Sequence, residues 1–251
     1  MVGEAIVETF MMTNSKPEAL VLVPGLMCDG AVWREQIDAL QSSIPIVVID
    51  HRELDSFNDM ASNVLDHAPQ RFALAGHSMG GRVVQEVMRK QPERVTHLAL
   101  IDTACHATTD PVAVAKERES RFGFLKIAQE HGLDRMARIW VQNMVHPDRL
   151  HDEALIGEIA RMFARQSVKK YEAQIKALLN RSELFPFLKD ITCPTLVLCG
   201  REDASTTLVG HEEMMTALPN ATLVVLDHCG HMSMMEQPEK VTDAMRAWLE
   251  K

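Results

Sequence analysis

The stretch RFALAGHSMGGR, residues 71–82, decides the fold. Residues 71–75 form a short apolar run of strand type, and residues 80–90 have helical spacing. Between them, Gly76-His77-Ser78-Met79-Gly80 must carry the chain from strand to helix within one sharp bend. So tight a turn leaves no room for side chains two positions before and after the serine, and glycine stands at both. The serine is expected in a strained conformation, with its hydroxyl projecting beyond the sheet. A helix opening just after it directs backbone N–H groups and a positive dipole toward that hydroxyl, which suits a developing oxyanion. The five-residue pattern alone is a weak signal. The strand before it and the helix after it give it weight.

Working outward, strand-like runs recur at 19–23, 45–50, 95–102, 195–199 and 221–226. They are apolar on both faces rather than alternating, as in strands covered by helices on both sides. Helical spacing separates them, for instance at 32–41 and 80–90, so the expected fold is α/β with a mostly parallel central sheet. Residues 4–12 are a further candidate, an antiparallel edge strand. Between Asp102 and Pro194 no strand is found. Residues 111–129, 133–145, 151–164 and 167–180 read as helices, interrupted by Gly132 and by His146-Pro147. Such a block inserted in the sheet reads as a helical cap. The alternative is ordinary crossover helices with an extra pair. The expected division is a core of residues 1–104 and 190–251 and a cap of residues 105–189. No repeat, low-complexity tract or interdomain linker is evident.

The 251 residues suit one large α/β domain. Apolar residues make up 46% and the net charge is −9, a balance that argues against nucleic acid or an anionic membrane surface as partner. No run approaches the length needed to span a bilayer. The N-terminus carries Glu4 and Glu8 and lacks the basic and apolar regions of a secretory signal. Cys28, Cys105, Cys193, Cys199 and Cys229 include no C-x-x-C pair, so free thiols, no bridge and no zinc set are expected. The cytoplasm is the expected location.

A serine hydroxyl needs a base to take its proton. Among 11 histidines, His231 is chosen. It lies in DHCGHM, residues 227–232, beyond the last strand, where open α/β sheets build their sites. His228 is the nearby rival, and Gly230 is read as freeing the loop to swing His231 inward. His77 should point away from the serine, and His51 reads as a loop or pocket residue. Two acids compete to orient the imidazole. Asp203 follows the 195–199 strand and Asp102 ends the 95–102 strand. Asp203 is preferred because its strand is nearer in sequence to the His231 loop, with Glu202 a solvated neighbour. For an oxyanion, the amides of Met79 and Leu26 are the candidate donors. The 16 methionines, several beside these loops, fit either core filling or a malleable apolar acyl pocket.

On LVLVPGLMCDGAVW, LAGHSMGG, LVLCGRED and CGHMSMMEQPE the chain resembles the α/β-hydrolase superfamily, in particular its small single-domain carboxylesterases with a helical cap. The resemblance spans nearly the whole chain. It implies Ser78 as nucleophile, Asp203 as acid, His231 as base, and Leu26 and Met79 as oxyanion donors. The chain departs from the family at Pro24-Gly25, where His-Gly is usual, and at Asp50-His51-Arg52-Glu53, which replaces a glycine-rich loop. Ser78 argues against haloalkane dehalogenases, His77 against the carbon–carbon bond hydrolases, and Leu26-Met27 against cofactor-free perhydrolases. The expected function is hydrolysis of ester, lactone or thioester bonds of a small apolar substrate through an acyl-enzyme on Ser78, with no metal and no cofactor. The rival readings are a carbon–carbon bond hydrolase or lyase using the same triad, which a second buried acid or Arg in a polar pocket would favour, and a non-catalytic small-molecule receptor. A small molecule is the expected partner, and a homodimer stays open.

Overall fold

Every residue of the run Ala19–Val23 is apolar and every one is buried, so this strand is covered on both faces. The computed structural model describes residues 16–251, and the candidate strand at 4–12 lies outside them. Six strands form one sheet: β1 (Ala19–Val23), β2 (Ile46–Val48), β3 (Phe72–His77), β4 (Val95–Ile101), β5 (Thr195–Gly200) and β6 (Ala221–Leu226). All pairings are parallel, in the order β2-β1-β3-β4-β5-β6. The order reverses at β1, so β1 and β3 diverge toward loops at their carboxyl ends and leave a crevice there. Leu26 follows the first of these strands and Ser78 the second.

The described helices are α1 (Arg34–Leu40), α2 (Phe57–His67), α3 (Met79–Lys90), α4 (Pro111–His131), α5 (Leu133–Trp140), α6 (Glu153–Ala164), α7 (Val168–Leu179), α8 (Leu208–Ala217), α9 (Ser233–Glu236) and α10 (Pro238–Leu249). Helix α1 packs on α10 and α2 on α3, while α8 lies against β5 and β6. Leu20, Leu22, Leu74, Leu98 and Leu100 are fully buried between these layers. Helices α4 to α7 all fall between β4 and β5 and pack chiefly on one another.

Several details differ from the periodicity. The 45–50 run keeps only three residues in β2, and these are not fully buried. Strand β6 is also only partly buried. Both are edge strands, covered less than the four inside them. Residues 133–145 do not form one helix: α5 stops at Trp140 and a tight 3-10 turn, Val141–Asn143, follows. A 3-10 turn, Gly30–Trp33, precedes α1. Helices α2 and α8 were not singled out by apolar spacing. The start of α2 is nevertheless written in sequence: the Ser56 hydroxyl accepts the Asp59 amide at 3.1 Å and donates to its carboxylate at 2.7 Å.

Where β3 gives way to α3 the chain closes on itself. A Cβ on Gly76 would lie 2.4 Å from the Gly80 carbonyl oxygen, and one on Gly80 would lie 2.1 Å from that of Val23. The obstacles are backbone atoms, of α3 for Gly76 and of the sheet for Gly80, which cannot move aside. Gly80→Ala should therefore lose on the order of 3 kcal/mol of stability or fail to fold. Urea denaturation checks this, and an unchanged midpoint would show that the contact is not tight.

Candidate active site

Ser78 sits at the bend with φ 54° and ψ −117°, a backbone region that residues other than glycine rarely occupy. Its amide donates to the Ile101 carbonyl at 2.9 Å, and its carbonyl accepts the Thr103 hydroxyl at 2.7 Å. Both backbone groups are thereby pinned, and the hydroxyl points to His231. The Ser78 Oγ donates to His231 Nε2 at 2.8 Å, and His231 Nδ1 donates to Asp203 Oδ2 at 2.8 Å. The chosen serine, histidine and acid thus meet in one hydrogen-bonded chain. Asp203 and His231 are buried, and Ser78 remains partly accessible.

Asp203 is fixed from four directions. Its second oxygen accepts the Ser205 amide at 2.7 Å and the Thr206 amide at 2.9 Å. The Thr206 hydroxyl donates to Oδ2 at 2.7 Å, beside the imidazole. Burial alone would raise this carboxyl's pKa. The His231 charge, its hydrogen bond and the Thr206 contacts outweigh burial and hold it down at about 2. His231 shows the mirror case. Burial opposes its charge, but Asp203, then Asp102 and Glu236, raise it above the ordinary imidazole value. The sequence shows this local support as Asp203-Ala204-Ser205-Thr206, an acid followed by two residues that favour such a turn.

Asp102, the rival acid, makes no hydrogen bond to the imidazole. It is fully buried and left-handed at φ 44°. Its Oδ1 accepts the Gly200 amide at 3.1 Å, and its Oδ2 the Ser233 amide at 3.1 Å. Gly200 opens the loop that carries Asp203, and Ser233 ends the loop that carries His231. Asp102 is therefore a brace between the two loops. Burial, then the neighbouring Asp203 charge, pushes its carboxyl up to about 8.

Glu236 was not anticipated. Its buried carboxylate accepts the amides of Gly230 at 3.0 Å, Met232 at 3.3 Å and His146 at 2.7 Å. It ties the histidine loop to the chain after α5. Gly230 has no positive φ, so it does not act by freeing the loop. A Cβ there would lie 2.7 Å from the Val145 backbone carbon, so glycine is needed for close approach. The His231 amide donates to the Met144 carbonyl at 2.7 Å across this contact.

His77 lies beneath the site. Its Nε2–H donates to the His231 carbonyl at 2.9 Å. Burial, then the His231 charge, lowers its pKa to about 3, so it stays neutral. His51 is buried and lines a cavity of about 260 Å³ with Gly25, Asp50, Lys170 and Gln174. The Leu26 and Met79 amides donate to no acceptor among the described residues, whereas the intervening Met27 amide is taken by Gln174 of α7 at 2.9 Å. Met27, Met79, Met232 and Met234 are buried, which agrees with core filling. All five cysteines are free thiols. Among the described residues, no metal-type cluster includes Ser78, Asp203 or His231, and no helix is long and apolar enough to cross a membrane.

A model of the "Alpha/beta hydrolase family" matches residues 20–244. A pimeloyl-acyl-carrier-protein methyl ester esterase of Nitrosomonas europaea is 25% identical over 252 residues, 94% of this chain and 96% of that protein. A 3-oxoadipate enol-lactonase of Acinetobacter baylyi is 25% identical over 91% of this chain and 87% of that one. Among solved structures, a thermophilic esterase from Thermogutta terrifontis superposes with a TM-score of 0.84 at 25% identity, over 94% of this chain and 90% of that one.

The brace can be tested apart from the chemistry. Asp102→Ala leaves two buried amides without an acceptor. Stability should fall by about 2–4 kcal/mol in chemical denaturation, and a loss below about 0.5 kcal/mol would remove the bracing role.

Proposed function

The chain belongs to the alpha/beta hydrolase family, and from that membership we propose a serine hydrolase of carboxylic esters, lactones or thioesters with an apolar acyl group. The observation that carries this reading is the unbroken chain from Asp203 through His231 to Ser78, set beside two amides without acceptors among the described residues. Ser78 is the nucleophile. Asp203 holds the Nδ1–H tautomer, so that the Nε2 lone pair faces the hydroxyl. As Ser78 attacks the carbonyl, its proton moves to His231, and the resulting imidazolium lies against the Asp203 carboxylate. The amides of Leu26 and Met79 stabilise the oxyanion, neither being spent on an acceptor among the described residues. The imidazolium then protonates the leaving group. Water, deprotonated by the same nitrogen, releases the acid. No step calls for a metal or cofactor. Residues 105–189 form the lid over this site, with Gln174 steadying the oxyanion loop through Met27. The cytoplasm is the proposed location.

The ester and lactone names of the relatives support the acyl-transfer reading. A second buried acid or arginine serving the substrate would have favoured carbon–carbon chemistry. Asp102 spends both oxygens on backbone amides, and Arg82 spends both terminal nitrogens on the Ala104, His106 and Ser182 carbonyls, leaving only its buried Nε without a partner among the described residues.

Ser78→Ala should lower kcat by on the order of 10⁴-fold or more on nitrophenyl esters. Wild type should gain one phosphonyl group at Ser78 from a fluorophosphonate, as read by mass spectrometry. Retained activity, or labelling elsewhere only, would end the assignment.

The pH profile follows from the raised His231 pKa. Only neutral imidazole accepts the serine proton, so kcat/KM should fall as pH drops through a midpoint above the ordinary 6.5. Asp203→Asn removes the negative charge and should move that midpoint down while slowing turnover. A midpoint below 6.5 in wild type would contradict the electrostatics described.

A further inference from the structure

Outside the triad, three side chains of metal-ligating type meet where the helical segment touches the histidine loop. His146 and Asp148 flank Pro147 after α5, and His228 lies in the loop leading to His231. One donor atom from each lies within 4.8 Å of the other two. His146 Nδ1 is 3.6 Å from the Asp148 carboxylate. The two imidazole rings are 5.4 Å apart at 66°. His228 holds φ 58°, in the left-handed region that histidine enters more readily than most residues. Its ring makes no hydrogen bond among the described residues.

We propose that His146, Asp148 and His228 bind a divalent transition-metal ion of the zinc or nickel class, clipping the segment after α5 to the histidine loop. Two imidazoles with one carboxylate suit these ions, whereas magnesium and calcium prefer oxygen alone. Bonds of about 2.0–2.1 Å to a tetrahedral ion set donors about 3.4 Å apart. The His146–Asp148 pair is already near that spacing. His228 is exposed, so its ring can rotate the remaining distance. Binding through His146 Nδ1 exchanges its present hydrogen bond from the Asp148 amide, at 3.1 Å, for the ion. Water completes the coordination. The two backbones that present these ligands are already locked together, by the His231-to-Met144 hydrogen bond and by Glu236, which holds His146 and Gly230 at once. The ligands are thus brought together at little further ordering cost. The ion takes no part in the proton path through Asp203, His231 and Ser78, so the proposal stands independently of the hydrolase reading.

The test is calorimetric titration of the full chain with Zn²⁺ alone, with Mg²⁺ as comparator, together with thermal melts. Saturable uptake of a single Zn²⁺ in the micromolar range and a raised melting temperature are expected, with no comparable response to Mg²⁺. His228→Ala and Asp148→Asn, confirmed as folded by circular dichroism, should each weaken binding by roughly tenfold or more. Cys193→Ser should leave it unchanged, which excludes the partly exposed thiol as ligand. No saturable uptake, equal binding by the His228 and Asp148 variants, equal response to Mg²⁺, or loss of binding with Cys193→Ser would each overturn the site.

Discussion

The carbonyl oxygen of Val23 lies where a side chain on residue 80 would have to be. That contact sets the distance between the end of β1 and the start of α3. The rest of the site inherits it. Because α3 begins so close to the sheet, Ser78 has no relaxed conformation available and takes φ 54°. Strain of this kind costs about 1–3 kcal/mol and persists only where neighbours over-determine it. Ile101 and Thr103 do so here by fixing the serine's amide and carbonyl. The same closeness puts Gly25, in the loop after β1, against the Ser78 Cβ, so the proposed oxyanion donors and the hydroxyl share one rigid corner.

Features written locally could be read from sequence alone. The bend around Ser78 needs two glycines within five residues, and the doubly covered strands announce themselves as continuous apolar runs. Asp203 and His231 could be placed because each follows a strand, and chain order in a parallel sheet fixes which end of the sheet they reach. Edge strands β2 and β6 escaped full description because coverage depends on neighbours, which sequence does not show. Helix α8 carries LVGHEEMM, with no single apolar stripe. Gly230 illustrates the limit best. Sequence marks a glycine but cannot tell conformational freedom from close approach, and here the intruding backbone belongs to residues 145 and 146.

Asp102 and Asp203 show how position divides labour between two similar residues. Both follow strands of one sheet, β4 and β5, which pair side by side. Asp203 meets a charged partner and stays ionised well below the ordinary carboxyl range. Asp102 is buried among amide dipoles beside a like-charged neighbour, which the His231 charge only partly offsets, and its carboxyl rises to about 8. The linkage of each to stability therefore has opposite sign. Asp203 contributes stability that is present above its unfolded value and lost as pH falls toward about 2. The contribution of Asp102 is complete below the unfolded value and is lost as pH rises toward about 8.

The two acids are nevertheless one device. Asp102 holds Gly200 and Ser233, so the loops bearing acid and base cannot drift apart. Glu236 holds Gly230 and His146, so the histidine loop cannot lift away from the segment above it. These braces act through backbone amides, and each adds its negative potential to that of Asp203 at the imidazole when it is ionised, Asp102 only as pH rises to about 8. A brace that is ionised thus also stabilises the protonated imidazole, the form that carries the serine's proton in the proposed attack. A site held by neutral side chains would keep the geometry and lose that stabilisation. The choice of carboxylates as structural clamps therefore belongs to the chemistry as much as to the fold.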